Sequence, residues 1–455
     1  MSTETDADKE SPNGSADAEN TSVKTEMTVE EMQAAIYAKN ADKVFVTLAE
    51  GAENSLTVSG DYVQTDDNNL DVVIFAKCDL TLGGTGSLTV KDTTGHGIVS
   101  KDDLVVTGGT YTIYSQDHCL NGKDSVRIAD GTFNLSCDED GIHAGNNDQQ
   151  DGYVYIEGGD INISVGDDAI HAEGLLIITG GDIDVSRSCE GVEGDKILVT
   201  GGDIDVISSD DGFNAAGGSS GSGDNHDGFG GGPGMGGVDM DADNDAYIFI
   251  TGGTININAD GDGIDSNGCI GITGGSVYVL GPSDNGNGAM DYGICAAITG
   301  GEIVAVGGSG MAQGFGDEST QCSALVNFDE WVDAGETITL TDSDGKEVLS
   351  YKVDKKFNSV VISTSDMKQG ETYTLTVGDQ SSTFTLDDIT YSEGSGGMQR
   401  PGGNLDNGGM QRPGGNSDDG NMQRPDGDSD NGQNDSANGS SQNKDNSSSS
   451  DSMSI

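Results

Sequence analysis

Residues 153–206 read YVYIEGGDINISVGDDAIHAEGLLIITGGDIDVSRSCEGVEGDKILVTGGDIDV, and within that stretch the chain repeats one message three times. A short apolar strand (YVYI, LLII, ILV) meets a two-glycine turn (Gly158-Gly159, Gly180-Gly181, Gly201-Gly202), and a strand of alternating character follows (DINIS, DIDVS, DIDVI). Alternation with period two buries Ile161, Ile183 and Ile204 on one face and leaves Asp160, Asp182 and Asp203 on the wet one. About ten residues further on a third short segment recurs, as AIHA and GVEG.

The same turn appears on both sides of this stretch. Its last glycines, Gly109, Gly131, Gly159, Gly181, Gly202, Gly253, Gly275 and Gly301, stand 22, 28, 22, 21, 51, 22 and 26 residues apart. The 51-residue interval is two periods plus a few residues, and it holds a Gly-rich insertion at about 217–244. The inward column runs Tyr111, Phe133, Ile161, Ile183, Ile204, Ile255, Val277, Ile303, with a second column from Ile113 to Val279. The third segment recurs as GIVS, CLNG, GIHA, AIHA, GVEG, GFNA, GIDS and GICA. Three strands per period describe one coil of a parallel β-helix, which buries its apolar side only by stacking on other coils. Glycine marks the corners that need positive φ.

Composition agrees. The chain has 455 residues with 73 Gly, 6 Pro, 20 Lys+Arg against 79 Asp+Glu, and a formal charge of −59. Gly at that frequency excludes a packed helical protein, and the absence of a three-residue glycine period excludes collagen. The charge excludes nucleic acid and anionic membrane surfaces as partners. No run of 18 apolar residues is present, so no membrane insertion is expected. The start, MSTETDADKE, shows no signal peptide. Seven cysteines, odd in number and without a CxxC pair, read as buried thiols and signal no disulfide set or zinc site.

Four regions follow: a disordered acidic arm (1–27), the β-helix (28–321), a small antiparallel β domain (322–391) and a disordered low-complexity tail (392–455) that repeats Met-Gln-Arg-Pro at Met398, Met410 and Met422. Thr28 to Glu31 has the form of a helix capping box, so a short helix is expected over the open end of the solenoid. The strands LVNFD, TITLTD, VLSYKV, SVVIST, TYTLTV and STFTL fill the end domain.

Acidic residues keep to two columns. Asp160, Asp182, Asp184, Asp203 and Asp205 stand on the wet face of the strand after the Gly-Gly turn. Asp140, Asp168, Glu190, Asp211 and Asp262 stand at the turn before the next strand, widened by Asp138, Asp167, Asp210 and Asp260 and followed by Glu193 and Asp265. Between residues 128 and 345 the only Lys or Arg are Arg187 and Lys196, so the columns are expected to recruit metal cations. Hard oxygen ligands, with Asn162, Asn214 and Asn256 near them, suit several calcium ions. His143 and His171 occupy equivalent positions one coil apart, and His96 and His118 sit where later coils carry Asp or Glu.

TTGHGIVSKDDLVVTGGTY (93–111), KDSVRIADGTF (123–133) and DGIHA (140–144), with AIYAKNADKVFVTLAEG (35–51) and the LVNFD, VVIS and GETYTLTVG blocks, closely resemble the bacterial carbohydrate-binding-domain proteins. The resemblance spans about residues 34–391. It implies a right-handed β-helix of pectate-lyase type and a cell-surface or secreted module that binds calcium and plant-type polysaccharide. The expected function is therefore calcium-dependent binding of plant-type or acidic polysaccharide by a monomer, without catalysis. A pectate-type lyase is the first alternative, with Arg187 as its base beside the calcium, since proton abstraction needs a cationic partner there. A structural adhesin or spacer is the second.

Overall fold

The computed structural model describes residues 34–38, 41–59, 70–145, 152–215 and 245–393, and the backbone alone of 2–5 and 24–28. The insertion at 217–244 and the Met-Gln-Arg-Pro tail lie outside the described residues. Residues 1–400 form one compact unit.

All described elements are strands, and those of the solenoid are arranged as three parallel ladders. The first ladder carries the strands that follow the Gly-Gly corners, from Glu53–Ser59 through Asp160–Val165, Asp182–Ser188 and Asp203–Ser208 to Glu302–Gly307. The second carries the third repeat segment, as in Leu120–Gly122, Ile142–Ala144 and Phe213–Ala215. The third carries the strands before each corner, from Lys43–Leu48 to Cys295–Ile298. Register is strict: Ile161 pairs with Ile183 and Ile183 with Ile204. Every residue of the inward column from Tyr111 to Ile303 is fully buried. The Tyr111 and Phe133 rings stack with centroids 5.4 Å apart. Burying one such side chain contributes about 1.5–3 kcal/mol, and the stack repeats it coil after coil. At the corners Gly181 and Gly202 have φ of 106° and 105°, a region that L side chains avoid.

The far end is closed by continuation of the sheet. Phe357–Ser363 pairs antiparallel with Glu302–Gly307, and Ser323–Val332 pairs with it in turn. A four-stranded antiparallel sheet (Thr337–Asp342, Glu347–Lys352, Thr372–Val377, Gln380–Thr385) shares their core. Val304 and Val306, which would face water on an ordinary coil, are buried under this cap. Thr390–Glu393 pairs with Ser323–Val326, so ordered backbone runs past the expected tail boundary.

Three expectations need correction. The helix expected from Thr28 to Glu31 falls almost wholly outside the described residues; Thr28 itself ends the strand Lys24–Thr28, which begins inside the segment read as an arm and pairs with Ser55–Ser59. Ser2–Thr5 pairs antiparallel with Val44–Thr47, also inside the segment read as an arm; open strand edges of the first coils offer unpaired N–H and C=O groups, which a further strand satisfies. GICA does not join the second ladder. Met290–Tyr292 takes that place, with Ile264 opposite Met290, and Cys295 begins the third-ladder strand. The cysteines are not all thiols either: Cys269 and Cys295 form a disulfide, with Cα atoms 4.6 Å apart. Equivalent residues of adjacent coils sit one strand spacing apart, about 4.8 Å, within the span a disulfide bridges.

Replacing both Cys269 and Cys295 by Ala should cost about 2–4 kcal/mol of stability. Thermal unfolding with and without reductant checks it: reductant should lower the wild-type Tm and leave the double variant unchanged.

Candidate functional site

At the turn between first and second ladders each coil places an acidic or histidine residue, then a small residue, then an inward apolar one. The small residue is usually glycine because the next coil passes very close. A Cβ at Gly212 would lie 2.3 Å from Ile257 Cγ2 and 2.4 Å from the Gly263 carbonyl. This close approach stacks the turns. The Gly141, Ala169, Gly191 and Gly212 amides donate to the carbonyls of Asp168, Glu190, Asp211 and Asp262, all at 2.9–3.0 Å. One row therefore runs His118, Asp140, Asp168, Glu190, Asp211, Asp262. Three residues on, ladder register builds a second row of Asn121, His143, His171, Glu193, Asn214, Asp265 and Asp291.

Backbone hydrogen bonds fix one oxygen of several turn carboxylates. The Asp168 amide donates to Asp140 Oδ1 at 3.1 Å, the Asp262 amide to Asp211 Oδ1 at 2.6 Å, and the Gly288 amide to Asp262 Oδ1.

The two ends of the groove differ in chemistry. At the N-terminal end three imidazoles stack and a fourth is tilted against them: His96–His118, His118–His143 and His143–His171 have ring centroids 5.2, 4.4 and 5.0 Å apart, with the last pair of planes inclined by 59°. His143 Nδ1 is 2.7 Å from Asp140 Oδ2, and His171 Nδ1 lies 3.1 Å from Asp168 Oδ2 and 3.2 Å from Glu193 Oε2. Burial opposes charge on Asp140, yet the His143 hydrogen bond holds its carboxyl at about 2. Burial also opposes charge on His171, but the bond to Asp168 and the Glu193 carboxylate push it up to about 10. Burial dominates at His118 and lowers it to about 3.

At the other end, beyond the His171 contacts of Asp168 and Glu193, the carboxylates crowd against one another. Burial first, then the Asp168 charge, raises Glu190 to about 8; burial and a hydrogen bond with Asp168 raise Glu193 to about 10. Burial raises Asp262 to about 8, and burial with the Asp262 charge raises Asp265 to about 9. Oxygens of Asp211, Asp262 and Asp265 lie within 4.8 Å of one another, as do those of Asp168, Glu190 and Glu193. Asn214 stands between these groups, 7% exposed; its Nδ2 donates to Glu190 Oε2 at 2.8 Å while its Oδ1 is buried without a partner. Crowded carboxylates plus an orphaned amide oxygen form an all-oxygen donor set, the kind that fits a hard dication.

The structure thus brings together the turn residues Asp140, Asp168, Glu190, Asp211 and Asp262. It does not do so for Asp160, Asp182, Asp184, Asp203 and Asp205, which are in register but exposed on the outer face. A strand face offers one ladder of neighbours, whereas the turn supplies two rows that converge. Arg187 is exposed just after a register shift in the same ladder. One neutralising cation was invisible in the sequence window: Lys355, 95 residues away, places Nζ 3.0 Å from Asp260 Oδ1 and 2.5 Å from the Ala259 carbonyl. Elsewhere, on the third ladder, Val105, Arg127, Ala129, Tyr153, Tyr155 and Glu157 line a cleft of about 400 Å³, with the Arg127 guanidinium 5.1 Å from the Tyr153 ring centroid.

Residues 23–228 match the family of carbohydrate-binding domain-containing proteins. The matched segment carries the histidine end of the groove and the acids through Asp211. A protein from Acetivibrio thermocellus, described by the same words, is 38% identical over 167 residues, 35% of this chain and 58% of its own length. The chain therefore spans little more than half of that relative. A solved polysaccharide lyase-like protein from C. thermocellum, obtained as a gadolinium derivative, is 33% identical, with a TM-score of 0.32 over 40% of this chain and 68% of that one.

The raised carboxyls set a sign for pH dependence. A carboxyl whose folded pKa exceeds its unfolded value retains a proton that the unfolded chain has shed, so stability falls as pH rises through the folded pKa. Unfolded Asp, Glu and His have titrated by about pH 7, while Glu190, Asp262 and Asp265 lose protons near 8, 8 and 9. His171, charged in the fold, acts in the same direction. With chelator present, Tm should fall from pH 7 to 9, by about 2 °C for each kcal/mol lost; calorimetric scans at the two pH values measure it.

Proposed function

We propose that this chain binds acidic polysaccharide through calcium held at the carboxylate end of the turn groove, without cleaving it. The observation that carries the reading is the buried Asn214 Oδ1, left without a partner between two triplets of converging carboxylates. Asp211, Asp262 and Asp265 would hold one ion, and Asp168, Glu190 and Glu193 another. A bound calcium supplies open coordination positions that a sugar carboxylate and hydroxyls can complete. The protein's own residues do the positioning: backbone amides of Asp262 and Gly288 fix the Asp211 and Asp262 carboxylates, and Asn214 holds Glu190. The family match to carbohydrate-binding domain-containing proteins supports the ligand class. We place the protein at the cell surface or outside the cell, where sites of 10⁻⁴–10⁻³ M affinity, on the order of extracellular calcium modules, are filled. Among the described residues no helix is long and apolar enough to cross a membrane.

A second reading rests on the tyrosine cleft. The Tyr153 and Tyr155 rings beside Arg127 and Glu157 suit stacking on a neutral sugar, aromatic faces and hydrogen-bonding side chains being the usual lining of such sites.

Affinity electrophoresis in polygalacturonate separates these readings. Retardation should require calcium, vanish in EDTA, and weaken about tenfold in Asp262→Asn and Asp265→Asn, the loss of about 1.4 kcal/mol, while Tyr155→Ala migrates as wild type. Retention by a neutral glucan that survives EDTA and disappears in Tyr155→Ala would favour the cleft. Release of unsaturated uronate product that Arg187→Ala abolishes would overturn the non-catalytic reading.

A further inference from the structure

We propose that the N-terminal end of the groove carries a direct anion subsite, where the Lys101 and Lys123 ammonium groups take sugar carboxylates of the glycan that calcium holds at the other end. The inference rests on the acidic-polysaccharide reading and extends it along the groove. Two residues after the outward position of the second ladder, three successive coils carry Lys77, Lys101 and Lys123. Their backbones stack: the three lysine amides donate to the carbonyls of Ala38, Ala76 and Ser100 at 2.8–3.0 Å. Successive lysines thus stand one strand spacing apart, about 4.8 Å, which sets like charges against each other.

The protein's carboxylates pair with other cations. Lys43 bonds Asp79 and Arg127 lies beside Asp103, but among the described residues none of the three stacked lysines has an ion pair. Burial holds Lys101 below the usual lysine range; the Asp71 charge opposes this and the Lys123 charge adds to it. In a chain of formal charge −59, a column of unpaired cations on the groove is the complement of a polyanion. Phe75 and Val99, earlier in the second row, are buried among Ala34, Tyr37 and Leu70, so the polar groove begins at Asn121, flanked by Lys101 and Lys123. His143 joins them. Its Nδ1 is tied to Asp140 Oδ2 at 2.7 Å, and a Cβ on Gly145, the column's next position, would lie 3.1 Å from its Nε2. Glu173 packs over Gly145 and ends the basic stretch. From Lys123 to Glu190 and Glu193, three coils on, is about 14 Å, the span that the glycan has to cross.

Affinity electrophoresis of the full chain in polygalacturonate with calcium, read against gels without polymer, tests it beside calorimetric titration with digalacturonate. Lys101→Gln and Lys123→Gln should each weaken binding of the polymer roughly threefold, and about tenfold together. Digalacturonate, too short to cross three coils from the calcium sites, should bind all forms alike. The pair Lys346→Gln and Lys368→Gln removes the same charge from the end domain and should leave polymer binding as in wild type. Wild-type retention of the Lys101→Gln, Lys123→Gln protein, or an equal loss in the end-domain pair, would overturn the subsite and leave the polysaccharide reading standing. No retention of the wild type in calcium would overturn both.

Discussion

Stacking parallel strands in register places every equivalent pair of side chains about 4.8 Å apart, and the rest of this molecule follows from that spacing. Where the repeated residue is Ile, the spacing builds a core without gaps. Cysteine at a repeated position gives the Cys269–Cys295 bridge, and histidine gives a stack of rings. With Asp the same spacing sets like charges against each other, at about 1 kcal/mol per pair in water and about 3 at an effective dielectric near 20. A core stack needs nothing further. A carboxylate stack needs protons or cations.

The turn groove meets that need differently at its two ends. Toward the N-terminus, Asp140 and Asp168 have imidazole partners, so charge is balanced within the protein and the carboxyl of Asp140 stays low. Toward the C-terminus, Asp265 replaces the histidine of earlier coils and nothing basic stands in either row, so the carboxyls of Asp262 and Asp265 rise. The fold is the same at both ends. Only the residue on each coil's turn changes, and with it the groove passes from self-neutralised to cation-demanding.

Much of this was legible in the sequence, because a solenoid writes three-dimensional neighbours at a fixed period. The inward column from Tyr111 to Ile303 and the turn row from Asp140 to Asp262 could be read directly, as could the equivalence of His143 and His171. The row from Asp160 to Asp205 was equally periodic and stacks in register, but stays a single exposed ladder, since periodicity shows which residues stack but not whether a second row converges on them. The longer, 26-residue interval between Gly275 and Gly301 hid the true place of Met290 and therefore the pairing of Cys295. The two-sided burial of Glu302–Gly307 was present as EIVAV, a strand that abandons alternation where a cap covers it. Lys355 left no local signal, because its meeting with Asp260 depends on how the end domain folds back.

The central claim is that the stacked carboxylates bind dications specifically and do not merely need ionic screening. Thermal unfolding in CaCl₂ and in NaCl at matched ionic strength tests it most directly. The account predicts a saturable rise in Tm with calcium, at a whole-number stoichiometry by calorimetry, that sodium does not reproduce. Equal rises in the two salts, with no calcium heat above dilution, would contradict it.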